Sequence, residues 1–463
     1  MRYRNESDSM GEVRLPEDSW YGAQTQRAVG NFGISSLHLP LSFIKALALV
    51  KKSAAISNQK IGELDENIAL AISNAATEVI DGKLDDQFPV DVFQTGSGTS
   101  TNMNMNEVLA NRANVALGGQ KGTRKPIHPN DHVNKAQSSN DVIPTALNIA
   151  NRLAVKEFIE NLEVLESSLA VKEKEFARII KLGRTHLQDA VPMTLGQEFG
   201  AFREQIHKGI KRLAAASPHL EELALGGTAV GSGLNCPAGF AEEAISCIVK
   251  ETGIPFITAK SRFEAIACRD AQVELMGAVN TVAISLGKIA DDLRLLSSGP
   301  RSGLGEITIP PLQPGSSIMP GKVNPVIPEM VIQAAAFARG QALTVSIGGT
   351  NGPLQLNMMH PVIAWSSLSA MEVLGAAAKA LGERCIDGIK ANINRAAEWV
   401  EQSLALVTPL ALEIGYDKAA ELAHQAYESG KTIRETVKNA AIFPDEEIDR
   451  LLNPNSMIQT EEK

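Results

Sequence analysis

Aromatic residues make up only 4% of this 463-residue chain. With Ala and Leu plentiful and 44% of residues hydrophobic, that scarcity points to helix packed on helix rather than a β-sandwich. There are four cysteines, Cys236, Cys247, Cys268 and Cys385. No pair has the C-x-x-C spacing of a zinc or redox motif, and they read as free thiols of a reducing compartment. No apolar h-region follows the polar opening MRYRNESDSM, so no secretory signal is expected. No run approaches the ~18 consecutive apolar residues of a membrane span. An excess of basic residues is missing too: the net charge is −9, which argues against nucleic acid as the main partner. Neither nucleic acid nor membrane is expected as a partner, and the cytoplasm is the expected compartment. A local basic pocket for a small anion remains compatible with that charge.

Length alone suggests about three domains. Residues 1 to about 40 scatter Gly, Pro and Asn and read as irregular. Helical periodicity starts at 41–60 and returns at 65–81 and about 101–117. Residues 141–181 then contain no glycine and one proline, Pro144, where a first helical turn tolerates it. Apolar residues recur there in steps of three and four, through Leu147, Ala150, Leu153, Leu162, Leu165, Leu169, Phe176 and Ile179, marking one helix face. Residues 271–297 repeat the pattern from Leu275 to Leu296. Further long helices are expected near 194–225, 328–347 and 361–389. Five long helices with compact loops describe an elongated bundle. Small residues on its faces (Ala278, Ala283, Ala334, Ala335, Ala336) suggest contact with other subunits. From about 394 the helices shorten. The expected domains are 1–137, 138–393 and 394–463.

Four polar segments interrupt this helical background. QTGSGTSTNMNMNEVLANRA at 94–113 places Gly96 and Gly98 among hydroxyls, just before a helix start. Unpaired N–H groups at such a start attract carboxylate or phosphate, although simple capping by Ser or Thr explains the same residues. No G-K-[ST] ends it, so it is not a P-loop. HPNDHVNKAQSSNDVIPT at 128–145 carries His128 and His132 four apart, but Pro129 between them argues against a helical metal pair. Ser138, Ser139 and Asn140 precede the long helix beginning near Asp141 and form a second such start. LGRTHLQDAVPMTLGQEF at 182–199 holds Thr185 and His186 in a polar connection between long helices. A histidine there suits acid/base work, because its ordinary pKa is near neutrality.

The fourth segment, GSSIMPGKVNP at 315–325, contains no carboxylate. Pro320 and Pro325 exclude a helix interior, and Gly315 and Gly321 allow close backbone approach. It is either a solvated surface loop or a mobile loop closing over an anion. Glu329 starts the next helix, a favourable place for an acid. No metal or cofactor site is visible. Hydroxyls, helix starts, one lysine, one histidine and one glutamate suit a small dianion that loses a proton and then a leaving group. The lysine and hydroxyls would hold the charge that builds on a carboxylate as its α-proton departs.

GSSIMPGKVNP resembles the signature loop of the fumarase/aspartase superfamily. TGSGTSTNMN, HPNDHVNKAQSSND, GRTHLQDAVPMTLGQEF and YGAQTQRAVGNF resemble its class II fumarase branch, in order and over essentially the whole chain. The resemblance implies a mainly α fold: a long central five-helix bundle flanked by smaller N- and C-terminal domains. It also implies a homotetramer with a twenty-helix core, whose active sites take segments from three subunits. The implied reaction is metal-independent, cofactor-free hydration of fumarate to L-malate in the tricarboxylic acid cycle, by anti addition through an aci-carboxylate carbanion. Ser316 matches the catalytic serine of a mobile lid, whose oxyanion needs strong stabilisation, with the lid amides and Lys322 nearest. His186 matches the second acid/base group, and Glu329 the carboxylate paired with it. Ser97, Gly98, Thr99, Ser138, Ser139, Asn140, Thr185, Ser317, Lys322, Val323 and Asn324 match substrate-contacting positions. His128, Pro129, Asn130 and Asp131 match a second anion site, where Lys125 stands in place of an arginine and forfeits its bidentate fork. Aspartate ammonia-lyase on the same scaffold and an inactive homologue are the alternatives. Retention of Ser316, His186, Lys322, Asn324 and Glu329 together argues against the second.

Overall fold

The computed structural model describes residues 2–458; Met1 and the end of the expected C-terminal domain, 459–463, lie outside the described residues. Residue contacts divide the chain into two units. The first comprises 1–160, 211–283 and 336–375, the second 161–210, 284–335 and 376–463.

The first 40 residues are not irregular. Strands β1 (Tyr3–Asp8) and β2 (Gly11–Pro16) form an antiparallel hairpin, and α1 (Ala23–Asn31) follows. Long-range polar contacts override the local turn signals. Glu107 accepts the amides of Gly22 at 2.9 Å, Gln24 at 2.9 Å and Thr25 at 3.0 Å, so its carboxylate caps α1 from outside the segment. The next helices are α2 (Leu41–Lys60), α3 (Glu66–Ile80), capped by Asp65, and α4 (Thr99–Ala116).

Five long helices follow the expected periodicity: α5 (Ser139–Glu175), α6 (Leu195–Ala216), α7–α8 intervening at Phe240–Thr252 and Arg262–Ala267, α9 (Asp270–Leu296), α10 (Val326–Gly349) and α11 (His360–Arg384). Each of the five contributes residues to both units. The α9 stripe predicted from spacing, Leu275 to Leu296, is buried throughout; each such side chain contributes about 1.5–3 kcal/mol when fully buried. On α5, Leu147, Leu162, Leu165 and Leu169 are buried but Leu153 is exposed. The expected 194–225 helix stops at Ala216, because Pro218 opens a 3-10 turn at Ser217–Leu220 and disfavours helix in the residue before it. Among the small residues expected on subunit-facing surfaces, Ala283, Ala334 and Ala335 are buried within the chain itself. They serve close helix packing inside it, whereas Ala336 is exposed.

Stretches 270–296 and 360–388 are apolar and long enough to cross a bilayer by composition alone. In the second, 67% of the most apolar window is buried inside the chain, as in a core helix. Beyond 393 the helices are short, from α12 (Ile393–Gln402) through α13 (Leu410–Ile414), α14 (Tyr416–Ser429) and α15 (Ile433–Ala440) to α16 (Asp445–Leu451). They share a core of Val400, Leu406, Leu410, Leu422, Ile433, Val437 and Ile448.

Candidate active site

In the first unit the starts of α4 and α5 lie side by side. Gly98, the residue before α4, has φ 73°, and a Cβ on it would press into Ile143 of α5 at 2.9 Å. A Cβ on Gly96 would collide with the Met358 carbonyl. Capping of α4 does not come from Ser97 or Thr99. Their hydroxyls bond to each other at 2.8 Å, while the Gln94 amide oxygen accepts from Thr101 N–H at 3.1 Å and from its hydroxyl at 2.9 Å. The Thr99 and Ser100 amides have no acceptor among the described residues, so α4 presents free donors at its positive end.

The α5 start is held by a reciprocal cap. Ser138 Oγ accepts from Asn140 N–H at 3.2 Å, and Asp141 Oδ1 accepts from Ser138 N–H at 2.9 Å. Asp141 Oδ2 also accepts from the amides of Gly226 at 3.0 Å and Thr228 at 2.9 Å. Asn140 donates to the Ala229 carbonyl at 2.8 Å. Asp141 is fully buried. Burial pushes its carboxyl up to about 6 against those amide bonds. Lys51 of α2 is buried too, and desolvation brings its ammonium down to about 7, with the Asp141 charge opposing. Asn102 of α4 joins the two starts by donating to Ser139 Oγ at 3.0 Å. Ser97, Gly98, Thr99, Ser138, Ser139 and Asn140 therefore fall into one cluster.

Pro129 does not exclude a helical turn. Pro129–Val133 is a single wide turn with the proline at its first position, where the missing N–H costs nothing. His128 Nδ1 accepts from the amides of Asn130 at 3.2 Å and Asp131 at 3.3 Å, and His132 Nδ1 accepts from His128 N–H at 2.8 Å. With Nδ1 occupied as an acceptor, each neutral ring carries its proton on Nε2. Lys125 and Asp131 are exposed. Among the described residues no group of three or more His, Cys, Asp or Glu is arranged to hold a metal.

In the second unit His186 sits at the tip of a β-hairpin rather than in a loose connection. Strands β3 (Ile180–Thr185) and β4 (Gln188–Thr194) pair antiparallel. The two residues between them, His186 and Leu187, have φ 56° and 60°. A two-residue turn with both φ positive normally takes Asn-Gly, so a histidine and a leucine there store strain of the kind found at functional sites. Thr185, His186 and Leu187 are exposed. The hairpin base is fixed by buried charges: Lys181 bonds Glu198 at 2.6 Å and Glu306 at 3.1 Å, and Arg184 bonds Glu306 at 3.0 Å.

Residues 315–325 form an irregular loop, as the prolines predict. It folds on itself: Asn324 Nδ2 donates to the Gly315 carbonyl, and a Cβ on Gly315 would collide with the Lys322 carbonyl. Ser316 Oγ accepts from Met319 N–H at 3.0 Å and from Ile318 N–H at 3.3 Å. Residues 311–316 and 319–323 line a cavity of about 450 Å³ that includes Ser316, Lys322 and Val323. Ser317, Lys322 and Val323 are exposed. Glu329 lies in the first turn of α10. Within one chain, Glu329 and His186 form no bond with each other among the described residues.

Sequence reasoning missed the supports beneath these clusters. Lys51 carries no motif; its only signal is a charge on an otherwise apolar stretch of α2. Glu306 and Lys181 likewise lie outside the motifs. His360 is fully buried at the start of α11, its N–H bonded to the Gly96 carbonyl at 3.2 Å.

The chain matches a lyase family over residues 11–340 and the fumarase C C-terminal family over 406–459. It belongs to this lyase family, and within it to the class II fumarase branch. Mitochondrial fumarate hydratase of Rattus norvegicus is 50% identical over 459 residues, covering 98% of this chain and 90% of that protein. The class II fumarate hydratase of Methylorubrum extorquens is 48% identical over 456 residues, covering 98% and 97%. A crystal structure described as fumarate lyase:delta crystallin from Brucella melitensis, bound to cobalt, superimposes with a TM-score of 0.94 at 46% identity, covering 98% of this chain and 99% of that one.

The rat protein's name corrects the cytoplasmic expectation: a relative 50% identical is named mitochondrial, and a bacterial relative at 48% identity is also close. Organellar transit segments are amphipathic and Arg-rich, so the lack of an apolar stretch does not assign a compartment.

Proposed function

We infer that this chain is a fumarate hydratase that interconverts fumarate and L-malate. Substrate is a small dicarboxylate, and the reaction class is hydro-lyase. The observation that carries the reading is the Ser316 oxygen accepting two backbone N–H groups at 3.0 and 3.3 Å. Donors aimed at an oxygen favour its anion, and a serine base needs that help. In this reading Ser316 removes the C3 proton of malate. The α4 and α5 starts bind carboxylate and hold the charge of the aci-carboxylate. Lys322 and Asn324 close over it, and His186 handles the C2 hydroxyl or its water. Glu329 pairs with His186 of another subunit, which accounts for their separation within one chain.

A homotetramer with sites shared by three subunits follows from the same reading. Exposed Ile284, Leu295, Leu343, Ile347 and Val373 on long helices support it. The proposed division is 1–137, 138–393 and 394–463, and the proposed cycle role is the tricarboxylic acid cycle. The test is ultraviolet absorbance of fumarate with purified protein, with and without ammonium, the products separated by chromatography. Loss of fumarate to L-malate without ammonium supports the hydratase. Loss only with ammonium, giving L-aspartate, overturns it in favour of the ammonia-lyase.

A further inference from the structure

Lys51 reaches the α5 start through side chains alone. Its Nζ donates to Asn134 Oδ1 and to Gln137 Oε1, each at 3.0 Å. An ammonium has donors and no acceptor, so the Asn134 atom that faces it is the oxygen. That oxygen also accepts from Asn102 Nδ2 and Asn106 Nδ2, each at 3.2 Å. Asn102 is thereby turned with its NH₂ inward, and the same Nδ2 donates to Ser139 Oγ at 3.0 Å. This orientation leaves Asn102 Oδ1 buried without a partner. An orphaned buried acceptor costs free energy, so the contacts on the Asn134 side select the orientation: Asn134 Nδ2 donates to the Gln137 carbonyl at 3.1 Å, and its Oδ1 faces the ammonium, the only charged group in the relay. The consequence lies at Ser139. Its oxygen is already an acceptor, and its hydroxyl hydrogen has no acceptor among the described residues.

We propose that Lys51 is a positioning residue: through Asn134 and Asn102 it sets the direction of a hydrogen-bond relay so that Ser139 meets the substrate carboxylate as a donor. The proposal rests on the reading of Ser139 as a substrate contact. A reversed relay would have Asn102 Oδ1 accept the Ser139 proton and turn the hydroxyl's lone pairs on a dianion. Lys51 thus acts on binding from beneath the site, without touching the ligand.

The experiment compares full-length Ser139→Ala, Lys51→Met, Lys51→Arg and the Ser139→Ala/Lys51→Met double variant. KM and kcat are measured for L-malate, and Kd is measured calorimetrically for succinate. Ser139→Ala and Lys51→Met are each expected to raise KM and Kd roughly tenfold, the scale of one lost charge-assisted hydrogen bond. Lys51→Arg, still donor-only, restores most of the affinity. The double variant is no worse than either single, because both remove the same bond. Multiplying effects, or a fall in kcat with KM and Kd unchanged in Lys51→Met, overturns the relay. Normal KM and Kd in Ser139→Ala overturns the substrate contact instead. If Lys51→Met does not fold, Asn102→Asp replaces the donor to Ser139 by an acceptor. The same rise in KM and Kd supports the relay, and unchanged values sink it.

Discussion

Ser316 Oγ lies 3.0 Å from the Met319 amide and accepts its hydrogen bond. The geometry is that of a serine-capped turn, with the Ile318 amide as a second donor at 3.3 Å. In most proteins such a serine caps a helix. Here the turn goes nowhere: Pro320 ends it, and the loop returns through Lys322 to Asn324, which is tied back to Gly315. Two donors on one oxygen would lower the cost of its anion, as the proposed role of Ser316 requires.

Under the proposed mechanism, replacing Ser316 by Ala removes the base together with the acceptor of the Ile318 and Met319 amides. Turnover of L-malate should fall by roughly 10²–10⁴, the usual contribution of a positioned acid or base. His186→Asn should fall comparably, because asparagine tolerates positive φ but cannot shuttle a proton. Both variants should sediment as the parent does. Near-normal turnover in either would remove that residue from the chemistry.

Gly96 carries a different demand. Its position permits no Cβ, because the Met358 carbonyl occupies that place, and backbone cannot rotate aside as a side chain can. Gly96→Ala should destabilise the fold by about 1–3 kcal/mol, the range for overpacking, and displace the Ser97–Thr99 loop. The expected kinetic signature is a raised KM for both fumarate and L-malate. A thermal melt and a Michaelis curve matching the parent would show that the 351–359 segment yields freely.

The long helices were legible because their apolar spacing is a local property, as the fully buried α9 stripe from Leu275 to Leu296 demonstrates. The four polar segments were legible for a related reason: glycines, prolines and hydroxyls interrupt that spacing. What the sequence concealed is non-local. The start of α1 is fastened by Glu107, more than 80 residues away. His186 reads as a loop residue because neither it nor Leu187 is a usual turn former, yet buried Lys181 and Glu306 brace the hairpin that forces them to positive φ. Lys51 has no neighbour in sequence that betrays its partners Asn134 and Gln137.

Metal dependence has a direct check. The proposed chemistry places the developing charge on amides, hydroxyls and Lys322. Incubation with a chelator followed by gel filtration should leave turnover unchanged. A large loss, recovered by adding back one divalent cation, would assign the charge stabilisation to a metal instead.

His360 makes the sharpest prediction about stability. Its ring is buried, and neither nitrogen has a hydrogen-bond partner among the described residues. Burial, with the Arg269 charge added to it, holds the ring well below the ordinary histidine range; the Gly96 carbonyl opposes only in part. The folded protein therefore binds no proton here at a pH where the unfolded chain does. A depressed folded pKa contributes stability that is present above the unfolded value, near 6.5, and lost as pH falls beneath it. Between pH 6.5 and 5.5 the loss should be about 1 kcal/mol. His360→Gln keeps a polar side chain that does not titrate, so its stability should fall less over that interval by the same amount. Urea unfolding of parent and variant at pH 7.5, 6.5 and 5.5 reads the difference. Parallel pH profiles would mean that the ring takes up its proton in the folded state, and that its neighbours, Arg269 included, yield to admit the charge.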